Sequence, residues 1–323
     1  MALTVALKNQ RITKTMSKRQ ISIKGRPIVL GEVLFDRFPT GETVLGGAPF
    51  NVAWHLQGFG ADPLFISRVG KDDSGEKVRK AMRNWGMDLA GLQEDPQYPT
   101  GTVRITLDDG QPDFDIMPNQ AYDHLDMTTA RSILGNTDKN ALLYHGTLML
   151  RSSVTRETME TLLADTGLPI FLDVNLRDPW WDELDLVPVL ERARWLKVND
   201  MELSIIADLS GCEKDDPMEA AHHIRTTYHT ELLIVTRGDQ GAIAFHESGE
   251  TFPITPAETE EEVGDGGIMD TVGAGDAFSA VVMLGLLHGW SLPTIMQRGQ
   301  AFASRVCGLR GATSPDPDFY YFG

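Results

Sequence analysis

Pro27-Ile28-Val29-Leu30-Gly31-Glu32-Val33-Leu34 is the stretch on which the fold turns. It is rich in β-branched and apolar residues, the texture of a strand buried on both faces rather than one with a wet side. Similar short runs recur at Pro63 to Val69, Ala141 to Tyr144, Ile170 to Val174, Trp195 to Val198 and Leu232 to Thr236, with amphipathic segments of helix length between them. That alternation predicts an α/β fold, a doubly wound, mostly parallel sheet with helices on both faces. One region has a different texture. Thr102-Val103-Arg104-Ile105-Thr106-Leu107, then Asp108-Asp109-Gly110, then Phe114-Asp115-Ile116 alternates around an Asp-Gly turn and predicts a β-hairpin. Set over the strand ends of the main sheet, such a hairpin would act as a lid.

The chain has 323 residues, 41% of them hydrophobic, and a formal charge of −17, which describes a soluble globular protein with a large core. The length fits one large α/β domain with insertions about as well as two ordinary domains, so no extra domain is required. The acidity argues against a nucleic-acid partner, because phosphate backbones need clustered Lys and Arg. A small molecule is the expected ligand, and an anionic one would have to be drawn in locally by helix N-termini, a few arginines or a bound metal. Cys212 and Cys307 are far apart and form no C-x-x-C, so neither a disulfide framework nor a cysteine zinc site is expected and a reducing cytoplasm is the default. No apolar run of about 18 residues is present to span a bilayer. Residues 1–26 carry Lys8, Arg11, Lys14, Lys18, Arg19, Lys24 and Arg26 without an acid. They read as a flexible basic extension, or as upstream of a true start at Met16, rather than as a targeting peptide.

Two helices are preceded by glycine. Ala48 to Phe59, which sets Val52, Leu56 and Phe59 on one face, follows Gly46-Gly47; Ala277 to Leu287, apolar almost all round, follows Gly273-Ala274-Gly275-Asp276. The first N–H groups of a helix lack internal partners, so bare backbone there could hold an anion, with the helix dipole adding positive potential. Asp276 is either an N-cap for those donors or a catalytic carboxylate beside them. Asn51, read as an exposed side chain at a helix start, offers both a donor and an acceptor and so suits hydroxyl recognition. An ordinary turn and cap is the alternative.

These two segments resemble the N-terminal and C-terminal signatures of the ribokinase-like (PfkB) carbohydrate kinase family, in the right order. Four further segments match in register: Gly31-Glu32 with Asp36, Arg68-Val69-Gly70-Lys71-Asp72-Asp73-Ser74-Gly75, Asn199-Asp200-Met201-Glu202, and Thr236-Arg237-Gly238. The resemblance runs from residue 28 to about 313, and no Walker lysine motif competes with it. It implies one kinase domain over residues 27–323, with a small β lid near 35–45 and 99–118, transferring the γ-phosphoryl group of ATP to a sugar hydroxyl. Asp276 would be the general base and the Gly273, Ala274 and Gly275 amides the anion hole. Asp36, Gly46, Gly47 and Asn51 would hold the sugar. Asn199, Thr236, Gly238, Gly241 and Gln300 would face the nucleotide, and Glu202 would organise magnesium through water. The exposed faces of a β lid would suit a homodimer through the lid.

Asp173-Val174-Asn175-Leu176-Arg177-Asp178-Pro179-Trp180-Trp181 is similar to the D-x-N-x-R…W segment of family fructokinases and 2-keto-3-deoxygluconate kinases. Asn175 and Arg177 are therefore candidate substrate residues, a planar guanidinium after a strand end being suited to an anionic or hydroxyl-rich ligand. Fructose is the favoured acceptor, because the sugar motifs hold no extra cation for a substrate carboxylate. Arg104 in the hairpin keeps the keto acid as the alternative, and a non-catalytic sugar or nucleotide sensor is a third reading. The acidic run from Glu258 to Gly267 stands where relatives bring an apolar strand, which bears on whether the potassium site of many relatives is kept. His222, His223 and His229 lack metal-ligand spacing and read as a helix face. Gly264-Asp265-Gly266-Gly267 follows no buried strand and is not a dinucleotide fingerprint. Trp180 and Trp181 read as cover for an apolar edge.

Overall fold

The computed structural model describes residues 25–108, 111–135, 138, 141–212, 216–256 and 271–321. Its strands are β1 (Ile28–Leu30), β2 (Leu34–Arg37), β3 (Thr43–Gly46), β4 (Leu64–Gly70), β5 (Leu92–Asp95), β6 (Gly101–Asp108), β7 (Gln111–Ile116), β8 (Leu143–His145), β9 (Ile170–Asp173), β10 (Trp195–Asn199), β11 (Leu232–Thr236), β12 (Ala242–His246) and β13 (Thr251–Ile254). The helices are α1 (Ala48–Gly58), α2 (Asp73–Asn84), α3 (Met127–Leu134), α4 (Ser153–Thr166), α5 (Glu183–Leu190), α6 (Asp200–Leu209), α7 (Pro217–Thr227), α8 (Ala274–His288) and α9 (Leu292–Val306). The main sheet has the order β13-β12-β11-β10-β9-β8-β1-β4-β5 and the small one the order β3-β2-β6-β7. Pairing in the main sheet is parallel from β5 through β11 and antiparallel only for β12 and β13.

Two apolar cores lie on opposite faces of that sheet, and the strand period of two assigns each residue to one of them. Val29, Phe65, Tyr144, Phe171 and Trp195 pack with α1, α2, α8 and α9, whereas Ile28, Leu30, Ile66, Leu172 and Leu196 pack with α3 to α7. Every one of these strand residues is fully buried. This is the expected doubly wound fold with a small second sheet.

Several details differ from the reading of the sequence. The opening stretch is two strands and not one: β1 stops at Leu30, and Leu34 begins β2 in the small sheet. Gly31, the residue after β1, packs against α1: a Cβ there would lie 2.1 Å from Cγ of Pro49, in the first turn of that helix. The antiparallel strands β12 and β13 were not anticipated, because a short strand at the sheet's edge carries no distinguishing period. Helix α8 begins at Ala274, earlier than Ala277, with Gly273 as its N-cap. Of the basic extension, residues 1–24 lie outside the described residues, as does the acidic run 258–267. Arg26 is anchored, donating from Nε to the Asp62 carbonyl at 2.6 Å and pairing with Asp88 at 2.9 Å.

The glycines ahead of α1 and α8 serve backbone geometry first. Gly47 has φ 106° and Gly273 φ 82°, both in the region that L side chains rarely adopt. A Cβ on Gly47 would meet the Glu32 carbonyl oxygen at 2.8 Å, and one on Gly273 would meet Ala312 Cβ at 2.3 Å. Bare backbone lets both helices start hard against neighbouring chain. It also brings their first turns together.

Candidate active site

The C-terminal ends of β8, β9 and β10 face the N-termini of α1 and α8, the place where open parallel sheets bind ligands. At the meeting point Asn51 Nδ2 donates to Asp276 Oδ2 at 2.8 Å. Asn51 is 3% exposed, which corrects the expectation of an exposed side chain. Its Oδ1 is buried without a hydrogen-bond partner, an acceptor awaiting a donor. Asp276 is the third residue of α8, and no side chain caps that helix, so the N-cap alternative does not hold. Asp276 is half-buried and Gly275 is exposed, whereas the Ala274 N–H, one of the three expected anion-hole donors, is already given to the Thr271 carbonyl at 3.3 Å. Burial pushes Asp276 up to about 6 and the nearby Asp173 charge adds to this, while the Asn51 bond, Lys197 and Arg177 pull it down.

Beneath α8 lies a buried polar cluster that was not singled out from the sequence. Asp173, the last residue of β9, and Lys197, the middle residue of β10, are register partners. Lys197 Nζ donates to Asp173 Oδ1 at 2.8 Å and Oδ2 at 2.9 Å, Ser279 Oγ donates to Oδ2 at 2.7 Å, and Tyr144 Oη donates to the same oxygen at 3.2 Å. The signal was present: Asp173 and Lys197 are charged residues in the apolar runs IFLDV and WLKV, two places beyond Phe171 and Trp195 and so on the same face.

Toward the small sheet, Asp36 is raised to about 6 by burial, against the pull of the Arg177 guanidinium. Glu32, in the turn between β1 and β2, is 4% exposed and pushed up to about 7, chiefly by burial, with the Asp276 charge adding and Arg177 and Arg151 opposing. Asp36 shares a register line with Val103 and Val44. Val103 packs with Leu34, Ile116, Leu148 and Trp180, so this face of the lid looks toward the loop that carries Arg177. Gly46, the last residue of β3, lies in the same layer, a Cβ there reaching 3.6 Å from Asp36 Oδ2. Trp180 covers that apolar edge as expected, and Arg151 stacks on it 4.6 Å from the ring centroid. Asn175 takes a left-handed φ of 44° in the turn after β9.

Arg104 falls outside this convergence. It is the neighbour of Val103 in β6 and the register partner of Arg37, hence on the opposite face of the lid from Asp36. There its side chain is 61% exposed and pairs loosely with Asp115 at 3.8 Å.

In the N-x-x-E segment, Asn199 caps α6 through a reciprocal box with Glu202: Asn199 Oδ1 accepts from the Glu202 N–H and Glu202 Oε2 from the Asn199 N–H, each at 2.8 Å. Glu202 Oε1 accepts from the Leu176 N–H at 2.8 Å, which ties the N-x-x-E segment to the loop of Asn175 and Arg177. With one bond on each oxygen and 4% exposure, Glu202 is unsuited to chelate a metal directly, although its remaining lone pairs fit a link through water. Among the described residues no group of three or more His, Cys, Asp or Glu is arranged to hold a metal ion. Thr236 Oγ1 donates to the Val198 carbonyl at 3.3 Å at the end of β11. Gly238 is exposed with open space where a Cβ would stand, and Gly241 packs against the Ile254 carbonyl oxygen, 2.0 Å from a Cβ. Gln300 in α9 is 7% exposed and donates to Ser304 Oγ at 3.3 Å. His222 and His223 are spent on Phe245 and the Ser210 carbonyl.

A parallel sheet ending at a carboxylate between two glycine-led helices, under a small β lid, is the frame of a sugar kinase. Residues 27–318 match the pfkB family carbohydrate kinases, and the chain belongs to that family. It is 30% identical over 303 residues to a fructokinase of Salmonella typhimurium, covering 88% of this chain and 92% of that one. It is 25% identical over 307 residues to a 5-dehydro-2-deoxygluconokinase of Geobacillus thermodenitrificans, covering 86% of this chain and 84% of the relative. The fold matches the fructokinase of Vibrio cholerae O395, solved with fructose, ADP and a calcium ion, at a TM-score of 0.70 and 21% identity, over 90% of this chain and 95% of that one. No helix among the described residues is long and apolar enough to cross a membrane.

Proposed function

We propose that this carbohydrate kinase is a fructokinase, transferring the γ-phosphoryl group of ATP, bound with magnesium, to the 6-hydroxyl of fructose. The observation that carries the catalytic part is the Asn51–Asp276 pair, a carboxylate held beside exposed helix amides with an unfilled amide acceptor next to it. In the reaction the sugar hydroxyl gives its proton to Asp276, its oxygen bonds to the γ-phosphorus, and the bond to the bridging oxygen breaks to leave ADP. Asn51 Oδ1 accepts from a second sugar hydroxyl. Asp36 and Arg177, with Asn175 beside them, hold the far side of the sugar, and Gly46 and Gly47 give it open backbone. The Gly273 and Gly275 amides supply donors where charge builds on the transferring group, and the Ala274 N–H joins them if it releases the Thr271 carbonyl. Asn199, Thr236, Gly238, Gly241 and Gln300 line the nucleotide side, and Glu202 reaches the magnesium of the nucleotide through water.

Fructose is favoured by the similarity to curated fructokinases and by Arg104 facing away from the sugar residues, which leaves Arg177 as the one cation of the candidate set for a substrate carboxylate. A keto-deoxy sugar acid is the second reading, supported by the 25% identity to a 5-dehydro-2-deoxygluconokinase. ADP release with fructose, glucose, ribose, 2-keto-3-deoxygluconate, 5-dehydro-2-deoxygluconate and adenosine tests the choice. Preference for fructose is the expected result, and turnover restricted to a keto acid would overturn the fructose assignment while leaving the kinase chemistry in place.

A further inference from the structure

Lys197 is 6% exposed and Asp173 2% exposed, an ion pair inside an otherwise apolar layer. Such a pair pays heavily in desolvation, and well-packed apolar residues of similar size are often at least as stable. Stability alone is therefore a poor account of it. Its placement offers another. Ser279 is one turn along α8 from Asp276 and its hydroxyl is bonded to Asp173, while the Lys197 ammonium lies 3.5 Å from where a Gly275 Cβ would stand. The pair thus touches the first two turns of α8 from below and ties them to the end of β9 and the middle of β10.

We propose that Lys197 is a positioning residue for phosphoryl transfer: with Asp173 and Ser279 it locks the Gly275–Asp276 turn to the sheet, and its charge offsets that of Asp173 beneath Asp276. This rests on Asp276 being the base. The groups that face Asp276 are Asn51 from α1, Glu32 from the turn after β1, Tyr144 from β8, Asp173 from β9, Arg177 from the loop after β9, and Lys197 from β10. Among them Asp173 raises and Lys197 lowers the affinity of Asp276 for its proton, so the two act as opposed weights. Burial pulls the ammonium down, but the Asp173 carboxylate, together with the charges of Glu202 and Asp276, holds it above the ordinary lysine value.

The test compares wild type, Asp173→Asn, Lys197→Met and the double variant Asp173→Asn/Lys197→Met, which removes both charges of the pair. The Asp276 carboxyl is titrated by carbon NMR in aspartate-labelled full-length protein, its signal assigned by its absence in Asp276→Asn. The midpoint is expected to fall in Asp173→Asn, to rise by about one pH unit in Lys197→Met, and to return near wild type in the double variant. The acid limb of kcat/KM for the accepted sugar should move in the same order. Where Lys197→Met does not fold, the other three decide: a fall in Asp173→Asn that the double variant reverses supports the proposal. Midpoints that stay together, or a double variant as displaced as a single one, would overturn it and leave a pair that only joins strands. The midpoints can be read without turnover, so absence of sugar-dependent ADP release would count against the kinase reading alone.

Discussion

Asn51 and Asp276 stand 225 residues apart in the chain and 2.8 Å apart in space, Nδ2 to Oδ2, and their bond joins the first turns of α1 and α8. It holds the carboxylate in one orientation and favours its charged form. Asn51→Leu removes that bond together with the unfilled Oδ1. A hydrogen bond to a charged group contributes about 1.5–3 kcal/mol, so kcat/KM for the sugar should fall about 10- to 150-fold in steady-state assays. The acid limb of the pH profile should move upward in the same variant, because the bond it removes lowers the affinity of Asp276 for its proton.

The pH dependence of the wild type follows from the burial of Asp276. A general base acts as the carboxylate, and burial raises this one to about 6. The profile of kcat/KM from pH 4.5 to 8.5 should therefore rise through pH 6 and level off above it. An acid limb centred near pH 4, the ordinary carboxylate range, would show that the group in control is solvated.

The same shift has a consequence for stability. The unfolded chain ionises Asp276 near 3.8 and the folded chain near 6, so the folded state binds this proton more tightly. Its favourable contribution is complete below pH 3.8 and is lost as pH rises through 6, leaving an ionisation cost at neutral pH. Asp276→Asn removes the cost. Because the group is half-exposed, the gain should be about 1 kcal/mol rather than the ~3 kcal/mol of an undiscounted two-unit shift. Thermal melts should place the variant above wild type at pH 8, with the gap closing between pH 6 and 4.

Gly47 tests the backbone that brings the helices together. With φ at 106° and a Cβ 2.8 Å from the Glu32 carbonyl oxygen, Gly47→Ala meets both strain and a clash. Urea unfolding should show a loss of about 1–3 kcal/mol, accompanied by a fall in kcat as α1 tilts away from Asp276.

How far the sequence carries is clear from particular residues. The buried runs at Ile170 and Trp195 announced their strands because apolar period and length agree, and Gly46-Gly47 and Gly273-Ala274-Gly275 marked the helices that converge. Their meeting was legible through family resemblance and not through local pattern, since a contact across 225 residues leaves no periodic trace. The burial of Asn51 was missed for the same reason: a polar residue near a helix start reads as wet until the second helix is placed over it. The split after Leu30 was hidden because residues 28–34 read as one β-rich run, and only the pairing of Leu34 with Gly46 and Gly101, both distant in sequence, assigns it to the small sheet. Lys197 and Asp173 were visible as lone charges in apolar strands, but only sheet register shows that they are partners.

The most direct measurement sets Asp276→Asn against wild type at pH 8, with fructose-dependent ADP release for turnover and calorimetry for sugar binding. If Asp276 is the base, turnover should fall about 10²- to 10⁴-fold while the sugar Kd stays within about threefold. Turnover retained in the variant, or lost only in step with sugar affinity, would contradict the assignment of Asp276 as the group that takes the proton.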